Sequence, residues 1–267
     1  MVRQIADNRR HSLYTALYTA LFSITPAPAP ATLNPAPAAV PTPALFVWVL
    51  ALSLVLALVP TLWPALDLAV ARLFAGPGAA GDAVAWFWVE GINRFVPALF
   101  RGVVLLALGA WLLASLTRFA RRWRLQLAFL VLAGALGPGL VVNSGFKEQW
   151  QRARPYQVEQ FGGTQKFTRA TVMTDQCDNN CSFVSGHVAC GVFLVSWMLV
   201  QPRRQRRWAA IGIAAGLLIG FARMADNAHW LSDVLWACPI TLACSWLVWR
   251  VVLRLYPPTA NPSSTDG

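Results

Sequence analysis

Leu45–Trp63 reads LFVWVLALSLVLALVPTLW and contains no charged side chain. Its length is close to the roughly 20 apolar residues that an α-helix needs to cross a bilayer. Five further apolar segments follow it along the chain: Pro97–Leu116, Leu125–Val142, His187–Val200, Trp208–Ala222 and Val234–Val252. A chain in lipid must satisfy its backbone hydrogen bonds internally, as a helix does. The sequence therefore predicts an all-α, multipass membrane bundle with six transmembrane helices.

The charged residues fit a membrane protein and predict its orientation. Only 12% of the 267 residues are charged, about half the share in an average soluble domain. The net charge of +11 comes largely from arginines that fall on one side of a six-helix arrangement: Arg3, Arg9, Arg10, Arg118, Arg121, Arg122, Arg124, Arg203, Arg204, Arg206, Arg207, Arg250 and Arg254. Basic loops stay in the cytoplasm, so both termini are predicted to be cytoplasmic. This pattern explains the charge without nucleic acid, which is not a predicted partner.

The apolar segments divide the chain into three parts. Residues 1–44 are a basic and then Pro/Ala-rich extension, residues 45–255 form the six-helix domain, and residues 256–267 are predicted to be a disordered cytoplasmic tail. The start of the chain resembles a signal peptide, but cleavage would place the arginine clusters outside. We therefore expect an uncleaved cytoplasmic extension. The exterior loop Pro64–Val96 is expected to carry amphipathic segments that lie on the membrane surface.

Three polar strings interrupt the apolar sequence: Lys147-x6-Arg154-Pro155, Ser185-Gly186-His187 and Arg223-x5-His229-x3-Asp233. All of them fall on the predicted exterior face, together with six basic residues: Lys147, Arg152, Arg154, Lys166, Arg169 and Arg223. Orientation signals do not explain basic residues on that face, whereas an anionic substrate does. Two of the predicted spans are short because they end in these strings. The site is therefore expected slightly below the headgroups, which favours a lipid whose tail stays in the bilayer.

The first two strings offer groups suited to a phosphate. Lys147 and Arg154 are seven positions apart, so one helix would present both on the same face, and arginine can hold two phosphate oxygens. Gly186 allows close backbone approach at a helix start, where Ser185 either caps the helix or donates to a phosphate oxygen. His187 is placed to protonate a leaving group. Taken singly, interfacial cations and a helix cap remain the simpler explanations.

The third string pairs a histidine with a carboxylate. His229 and Asp233 are one helical turn apart, so the carboxylate can fix the ring tautomer and leave the other nitrogen free to attack phosphorus. Arg223 lies off that helical face, which predicts a turn at Asp226-Asn227. A buried structural His–Asp pair is the alternative. The occurrence of all three strings, in order and on one face, favours the catalytic interpretation.

The strings resemble the three-part signature of the type 2 phosphatidic acid phosphatase superfamily over residues 147–233. That signature is Lys-x6-Arg-Pro, then Pro-Ser-Gly-His, then Ser-Arg-x5-His-x3-Asp. Val184 and Ala222 stand where the signature has proline and serine. Neither change removes a group that the reaction needs to attack phosphorus, although the missing serine hydroxyl weakens phosphate anchoring.

The resemblance implies a role for each residue of the strings. His229 is the expected nucleophile that forms a phosphohistidine, Asp233 orients it, and His187 protonates the leaving group and then activates water. The expected phosphate-binding residues are Lys147, Arg154, Ser185, Gly186 and Arg223. Three cationic side chains can take the place of a metal, so we predict neither a metal nor another cofactor.

Cys177 and Cys181 lie four positions apart in the exterior loop that precedes the second string. In an oxidising compartment they can form a disulfide that closes a small ring and rigidifies the approach to His187. Unpaired thiols are the alternative. The other three cysteines lie in apolar segments and are expected to be core residues: Cys190, Cys238 and Cys244.

The stretch Phe167–His187 resembles bacterial members of the superfamily that act on lipid A. The predicted function is hydrolysis of a lipid phosphate monoester or diphosphate at the exterior face of a bacterial inner membrane. Lipid A, undecaprenyl diphosphate, phosphatidylglycerol phosphate and phosphatidic acid are the candidate substrates. Two alternatives remain open: a lipid phosphotransferase that uses the same site, and a non-catalytic phospholipid-binding or transport protein. The oligomeric state is not predicted.

Overall fold

Helices form where the sequence carries its apolar runs. The computed structural model describes residues 41–75, 87–117 and 123–256 of the chain. Within these residues the helices are α1 Ala44–Leu62, α2 Ala65–Phe74, α3 Phe87–Leu116, α4 Arg124–Gly134, α5 Gly186–Val192, α6 Gln205–Ala225 and α7 Leu231–Leu255. The predicted all-α membrane bundle is confirmed. Three predicted features lie outside the described residues: residues 1–40 of the extension, residues 257–267 of the tail, and the cluster Arg118, Arg121 and Arg122.

Two of these helices continue in other helical geometries. α4 passes through a π-helical segment, Ala135–Phe146, into a last α-helical turn, Lys147–Trp150. α5 passes through a 3₁₀ turn, Phe193–Ser196, into Trp197–Val200. Separate 3₁₀ turns lie at Pro155–Gln157, Glu159–Phe161 and Pro202–Arg204. In the described part of the chain, five helices are long and apolar enough to cross a membrane, and Gly186–Val200 is a shorter apolar sixth.

α3 begins ten residues before the position that the apolar pattern predicts. The predicted segment starts at Pro97, whereas the helix contains Pro97 in its interior. Proline removes one backbone donor from a helix, but the turns before it are held in place, because Asn93 bonds with both Arg223 and Asp226. Part of the predicted exterior loop Pro64–Val96 is therefore helical, in α2 and in the first turns of α3.

The centre of the bundle is filled by buried side chains from α1, from α4, from α7 and from α5 with its continuation: Phe46, Phe129, Phe193, Met198, Leu242 and Trp249. The ring of Phe129 packs edge-on against Trp249 and stacks on Phe193, at centroid distances of 5.4 and 6.3 Å. The 3₁₀ continuation of α5 lies close against α6, since a Cβ at Gly212 would lie 2.5 Å from the backbone nitrogen of Val195. Small residues permit such close helix contacts inside a membrane. This packing sets the relative positions of the helices whose ends carry the polar strings.

The helices bring the polar strings to one end of the bundle, and Arg124 with the arginine-rich connection between α5 and α6 to the other. At one end the extension of α4 meets the start of α5, the end of α6 and the start of α7, and Ser185 N donates to the Asp233 carbonyl at 3.2 Å. At the other end Arg124 begins α4. Its guanidinium donates to the carbonyl oxygens of Ala114 and Ser115, at 2.6 Å each, which satisfies the last turn of α3. The arginine-rich connection between α5 and α6 lies at this second end.

Candidate active site

The three polar strings meet at one end of the bundle. Lys147 Nζ donates to Asn180 Oδ1 at 2.9 Å, and Arg154 donates to the Asn180 carbonyl through Nε and Nη2, at 3.1 and 2.7 Å. His187 Nε2 donates to the carbonyl oxygen of Asn93 at 3.0 Å. Four groups act electrostatically on His229: Arg223, Arg154, Lys147 and His187. The tertiary structure therefore brings together residues of the three strings that are far apart in the chain, such as Lys147 and His229, which are 82 positions apart.

Lys147 and Arg154 do not share a helix, so that prediction is wrong. The helix ends at Trp150, because Gln151 adopts a left-handed backbone conformation with φ of 47°. Arg154 has an extended backbone. The two cations still converge, because both bind Asn180 from different backbone positions. Tertiary contact, and not helical spacing, sets their separation.

Asn180 is held inside a small disulfide ring. Cys177 and Cys181 are joined by a disulfide with Cα atoms 5.7 Å apart, and Asn180 lies between them with φ of 49°. Its amide oxygen and its main-chain oxygen accept the hydrogen bonds of Lys147 and Arg154. The disulfide ring thus positions Asn180 so that it binds the positively charged side chains of both Lys147 and Arg154.

Opening this ring is expected to weaken phosphate binding. In a Cys177→Ser/Cys181→Ser protein Asn180 loses its constraint, so the two cations that it binds become less ordered. We expect the KM for a lipid phosphate, and the inhibition constant of vanadate, to rise about three- to tenfold with little change in kcat. Kinetics of phosphate release measure all three. Cys244→Ser, at a free cysteine of α7, is the matched control, and an unchanged KM in the double variant would contradict the ordering role of the ring.

Ser185 precedes α5, and no described protein group uses its hydroxyl. The residue is fully buried, its side chain does not cap the helix, and Oγ has no hydrogen-bond partner among the described residues. The helix-cap alternative for Ser185 is therefore not supported. A Cβ at the next residue, Gly186, would lie 2.6 Å from Asn143 Oδ1, so a larger residue there would have to displace the Asn143 amide. A buried hydroxyl without a partner is costly, and here it is available to a bound anion.

Arg223 lies in the last turn of α6, and the chain then turns as predicted. Asp226 and Asn227 form the turn, and Asn227 has φ of 49°. Arg223 Nη1 donates to Asn93 Oδ1 and to Asp226 Oδ2, the latter at 3.0 Å. Its Nε has no partner among the residues that the structure describes. The sequence does not predict the contact with Asn93, because a lone asparagine 130 positions away belongs to no motif.

His229 and Asp233 are neighbours, but they do not lie on one helical face as predicted. α7 begins between them, with Trp230 as its N-cap, and Asp233 Oδ2 accepts from the Trp230 amide at 2.9 Å. His229 Nδ1 lies 3.7 Å from Asp233 Oδ2, which is longer than a hydrogen bond. Neither ring nitrogen of His229 has a hydrogen-bond partner in the described part of the chain. The ring is therefore free to bind a ligand through either nitrogen.

The surroundings of His229 keep its ring neutral. Burial lowers the pKa of His229 well below its usual value, and the positive charges of Arg223, Arg154 and Lys147 lower it further. Its side chain is fully buried. The neutral ring has a lone pair on one nitrogen at neutral pH. Since Nδ1 faces the carboxylate, Nε2 is the nitrogen that faces away from it.

Arg152, inside the x6 interval of the first string, organises a buried network. Its fully buried guanidinium donates through Nη1 to Asp233 Oδ1 at 2.5 Å and through Nη2 to Asp67 Oδ2 at 2.8 Å. Nη1 also donates to Ser232 Oγ, and Nε to the Thr168 carbonyl, at 2.8 and 2.9 Å. These bonds engage all three guanidinium nitrogens, so Arg152 is not a phosphate ligand. In the sequence it is one of six exterior cations, because a charge pattern does not separate buried residues from exposed ones.

Asp67 of α2 completes this network. The residue is fully buried, and its carboxylate accepts from the Ser232 amide at 2.8 Å and from Ser232 Oγ at 2.6 Å. Burial raises the pKa of Asp67, and the charge of Arg152 opposes that rise. The sequence predicts only a surface segment here, whereas α2 buries Asp67 and Ala71 against the start of α7. Asp67, Arg152 and Asp233 therefore form a line of buried charges that ends beside His229.

Metal ligation does not explain these carboxylates, since both bind Arg152. Over residues 41–75, 87–117 and 123–256, no group of three or more His, Cys, Asp or Glu side chains is arranged to hold a metal ion. The absence of a metal and of other cofactors stays a prediction.

The fold and the site together define an integral membrane protein with a cationic, histidine-containing pocket at one end of its helical bundle. Residues 123–257, just over half of the chain, match the PAP2 superfamily. The chain belongs to this superfamily.

The chain is similar to proteins of two bacterial genera, Francisella and Rhizobium. The chain is 36% identical over 165 residues to a "Lipid A 4'-phosphatase" of Francisella tularensis subsp. novicida, a match that covers 60% of this chain and 72% of that protein. It is 41% identical over 100 residues to a protein of the same name from Rhizobium leguminosarum, covering 37% of this chain and 43% of the relative. The protein of that name from Rhizobium etli is 38% identical over 116 residues, or 43% of this chain and 44% of the relative. No solved structure gives a significant match.

Proposed function

We propose that the protein is a membrane lipid phosphatase that releases inorganic phosphate from a lipid phosphate monoester or diphosphate. The observation that carries this proposal is the meeting of three cations and two histidines at the end of an apolar helical bundle. Membership of the PAP2 superfamily, and relatives named for phosphatase activity on a lipid, support the same reaction. A lipid reaches such a site without leaving the bilayer.

The first proposed step is phosphoryl transfer to His229. Nε2 of the neutral ring attacks phosphorus, and the bond between phosphorus and the leaving oxygen breaks. His187 gives a proton to that oxygen, so a neutral alcohol leaves, or a phosphate when the substrate is a diphosphate. The phosphoryl oxygens are held by Lys147, Arg154 and Arg223, whose charges stabilise the transition state.

In the second proposed step water cleaves the phosphohistidine. His187, now neutral, accepts a proton from water, whose oxygen attacks phosphorus while the bond to Nε2 breaks. Inorganic phosphate leaves, and His229 returns to its neutral form. Asp233 faces Nδ1 and balances the positive charge that the ring carries while it is phosphorylated. Ser185 Oγ and the amide of Gly186 donate to the phosphoryl oxygens in both steps. No metal takes part in this scheme.

We place the site at the periplasmic face of a bacterial inner membrane. Arg124 and the arginine-rich connection between α5 and α6 lie at the end of the bundle opposite the site, and basic segments of this kind stay in the cytoplasm. Both termini are then cytoplasmic. The disulfide between Cys177 and Cys181 fits an oxidising compartment on the site's side.

The proposed substrate is a phosphorylated lipid of the bacterial envelope. Lipid A is favoured, because three relatives carry its name. Undecaprenyl diphosphate, phosphatidylglycerol phosphate and phosphatidic acid share the group that the site binds. The identity of the lipid depends on contacts outside the phosphate pocket.

The test is free-phosphate release by the purified full chain, with EDTA present, across these four lipids. We expect release from at least one lipid class, with a rate that EDTA leaves unchanged within about twofold, because the charges that a metal would supply come from side chains. Loss of activity in EDTA would contradict the metal-free scheme. Phosphate release that requires a second, acceptor lipid would identify a phosphotransferase, and no release under either condition would contradict an enzymatic function.

A further inference from the structure

A cavity of about 680 Å³ extends from the site towards the apolar part of the bundle. Its polar end is lined by Lys147, Gly186 and His187, and its other end by apolar side chains of α3 that include Phe100 and Leu105. Leu105 is 65% exposed on the outer surface of the bundle, where lipid would lie. The cavity therefore joins the phosphate pocket to the bilayer and has room for the part of a lipid that carries the phosphate.

The wall of this cavity contains one feature that a lipid tail does not explain. Arg101 lies in α3, within a segment apolar enough to cross a membrane, and lines the cavity. The described residues that line it include no acidic side chain, and no hydrogen bond or ion pair joins Arg101 to another described residue. A charged side chain inside a membrane segment is costly and marks a functional site.

The position of Arg101 relative to the site follows from helix geometry. Asn93, whose carbonyl contacts His187, is eight residues earlier in α3, so the two Cα atoms lie about 12 Å apart along the helix axis. Side chains of a helix lean towards its N-terminus, and the N-terminus of α3 is the end nearer the site. Arg101 therefore lines the same cavity as Lys147 and His187, and a helical side chain at this position leans towards the end of α3 that carries the site.

We propose that Arg101 binds a second anionic group of the lipid, on the tail side of the phosphate that is removed, and so selects doubly phosphorylated lipids. This inference rests on the proposed function. The phosphate that is cleaved already has three cations, whereas Arg101 has no anionic partner among the described residues, so its counter-charge comes from the substrate. Diphosphates, lipids with a phosphodiester below a terminal phosphate, and bisphosphorylated glycolipids all supply such a group. Phosphatidic acid does not.

The experiment compares lipids that differ in the second anion. Phosphatidylglycerol phosphate is paired with phosphatidic acid, and lipid A with its monophosphorylated form; undecaprenyl diphosphate is the third doubly phosphorylated arm. In an Arg101→Gln protein we expect kcat/KM to fall about tenfold for the doubly phosphorylated member of each pair, and to stay within about twofold for the singly phosphorylated one. The doubly phosphorylated lipid whose kcat/KM falls most in Arg101→Gln shows how far from the cleaved phosphate Arg101 binds the second anion. Arg101→Lys, which keeps the charge, should restore part of the preference.

Two control variants separate charge from shape. Arg94→Gln removes an exposed arginine two turns nearer the start of the same helix, which does not line the cavity, and should leave the preference unchanged. Gly139→Leu adds bulk to the cavity from the π-helical continuation of α4, where a Cβ would meet only the Gly134 carbonyl oxygen at 3.5 Å. It should weaken both members of a pair alike. Equal losses for both lipids in Arg101→Gln, or no loss for either, would overturn the proposal.

A binding measurement keeps this inference separate from the proposed reaction. The melting temperature of the purified chain should rise more with a doubly than with a singly phosphorylated lipid, and this difference should disappear in Arg101→Gln. Wild-type protein that shows the difference but releases no phosphate would refute the proposed function and support the role of Arg101. Wild-type protein that releases phosphate but shows no difference would refute the role of Arg101 alone.

Discussion

Replacing His229 with asparagine is expected to lower kcat/KM for phosphate release by about 10⁴-fold or more, because the reaction would lose the proposed nucleophile. Asparagine keeps a polar side chain in this buried position, so the protein should still fold, which its melting temperature will show. Rapid acid-free quenching with a ³²P-labelled lipid should trap an acid-labile, base-stable phosphoprotein in the wild type. The His229→Asn protein lacks the ring nitrogen and cannot form this adduct.

His187→Ala is the matched control, because it removes the other site histidine without removing the nucleophile. With a lipid substrate its activity should also fall, since an alkoxide leaves poorly without a proton. With an aryl phosphate, whose leaving group needs no proton, the His187→Ala protein should recover much of the first step and accumulate the phosphoprotein. His229→Asn should recover nothing. A labelled phosphoprotein in His229→Asn, or near-normal turnover, would contradict the assignment of the nucleophile.

Replacing Arg152 with methionine is expected to destabilise the protein by about 3–5 kcal/mol, as found when one member of a buried ion network is removed. The substitution leaves Asp67 and Asp233 buried without their cation. It also frees the carboxylate that faces His229, so kcat should fall while vanadate affinity changes little, because Arg152 is not a phosphate ligand. Thermal unfolding in detergent and steady-state kinetics measure the two effects. Arg169→Met, an exposed arginine of the same loop, should change neither.

A double-variant comparison shows whether the loss comes from uncompensated charge. Burial raises the pKa of Asp67, and Arg152 opposes this rise, so without Arg152 the pKa rises further. A carboxyl with a raised pKa binds a proton more tightly in the folded state, and the Arg152→Met protein should therefore gain stability, relative to wild type, as the pH falls. Asp67→Asn added to Arg152→Met should recover part of the lost stability at neutral pH.

If Arg152→Met does not fold, Asp67→Asn alone, which retains the Arg152–Asp233 pair, tests the effect on kcat. Unchanged kcat and stability would show that the network is dispensable.

The helices were largely predictable, since their lengths follow from apolar runs. Leu45–Trp63 and Val234–Val252 correspond to α1 and α7 within a few residues. The start of α3 was not predictable, because the apolar run begins at Pro97 and proline is common in the first turn of a helix. Here the earlier turns are held by Asn93, whose partners lie in a different helix and the loop after it.

In the site, the residue types were predictable from the sequence, but their local geometry was not. The strings predict Lys147, Arg154 and His229 as site residues, because residue types at fixed spacings form a recognisable pattern. The helical faces predicted from the strings were wrong. A left-handed Gln151 ends the helix of Lys147 before Arg154, and α7 begins only after His229. A spacing of four or seven residues implies a common face only inside a continuous helix, and neither pair lies in one.

The sequence by itself determined that the chain crosses a membrane, that its basic loops gather at one end, and that its polar strings gather at the other. The length of an apolar segment and the position of a charged residue can be read from the sequence without knowledge of tertiary contacts. Only the tertiary structure decided which side chains hold the site. Asp67 reaches Arg152 across 85 positions, and Asn180 draws two cations together from a disulfide ring. Such partners are single residues without periodicity, and their energy depends on burial and distance, which exist only once the helices have packed.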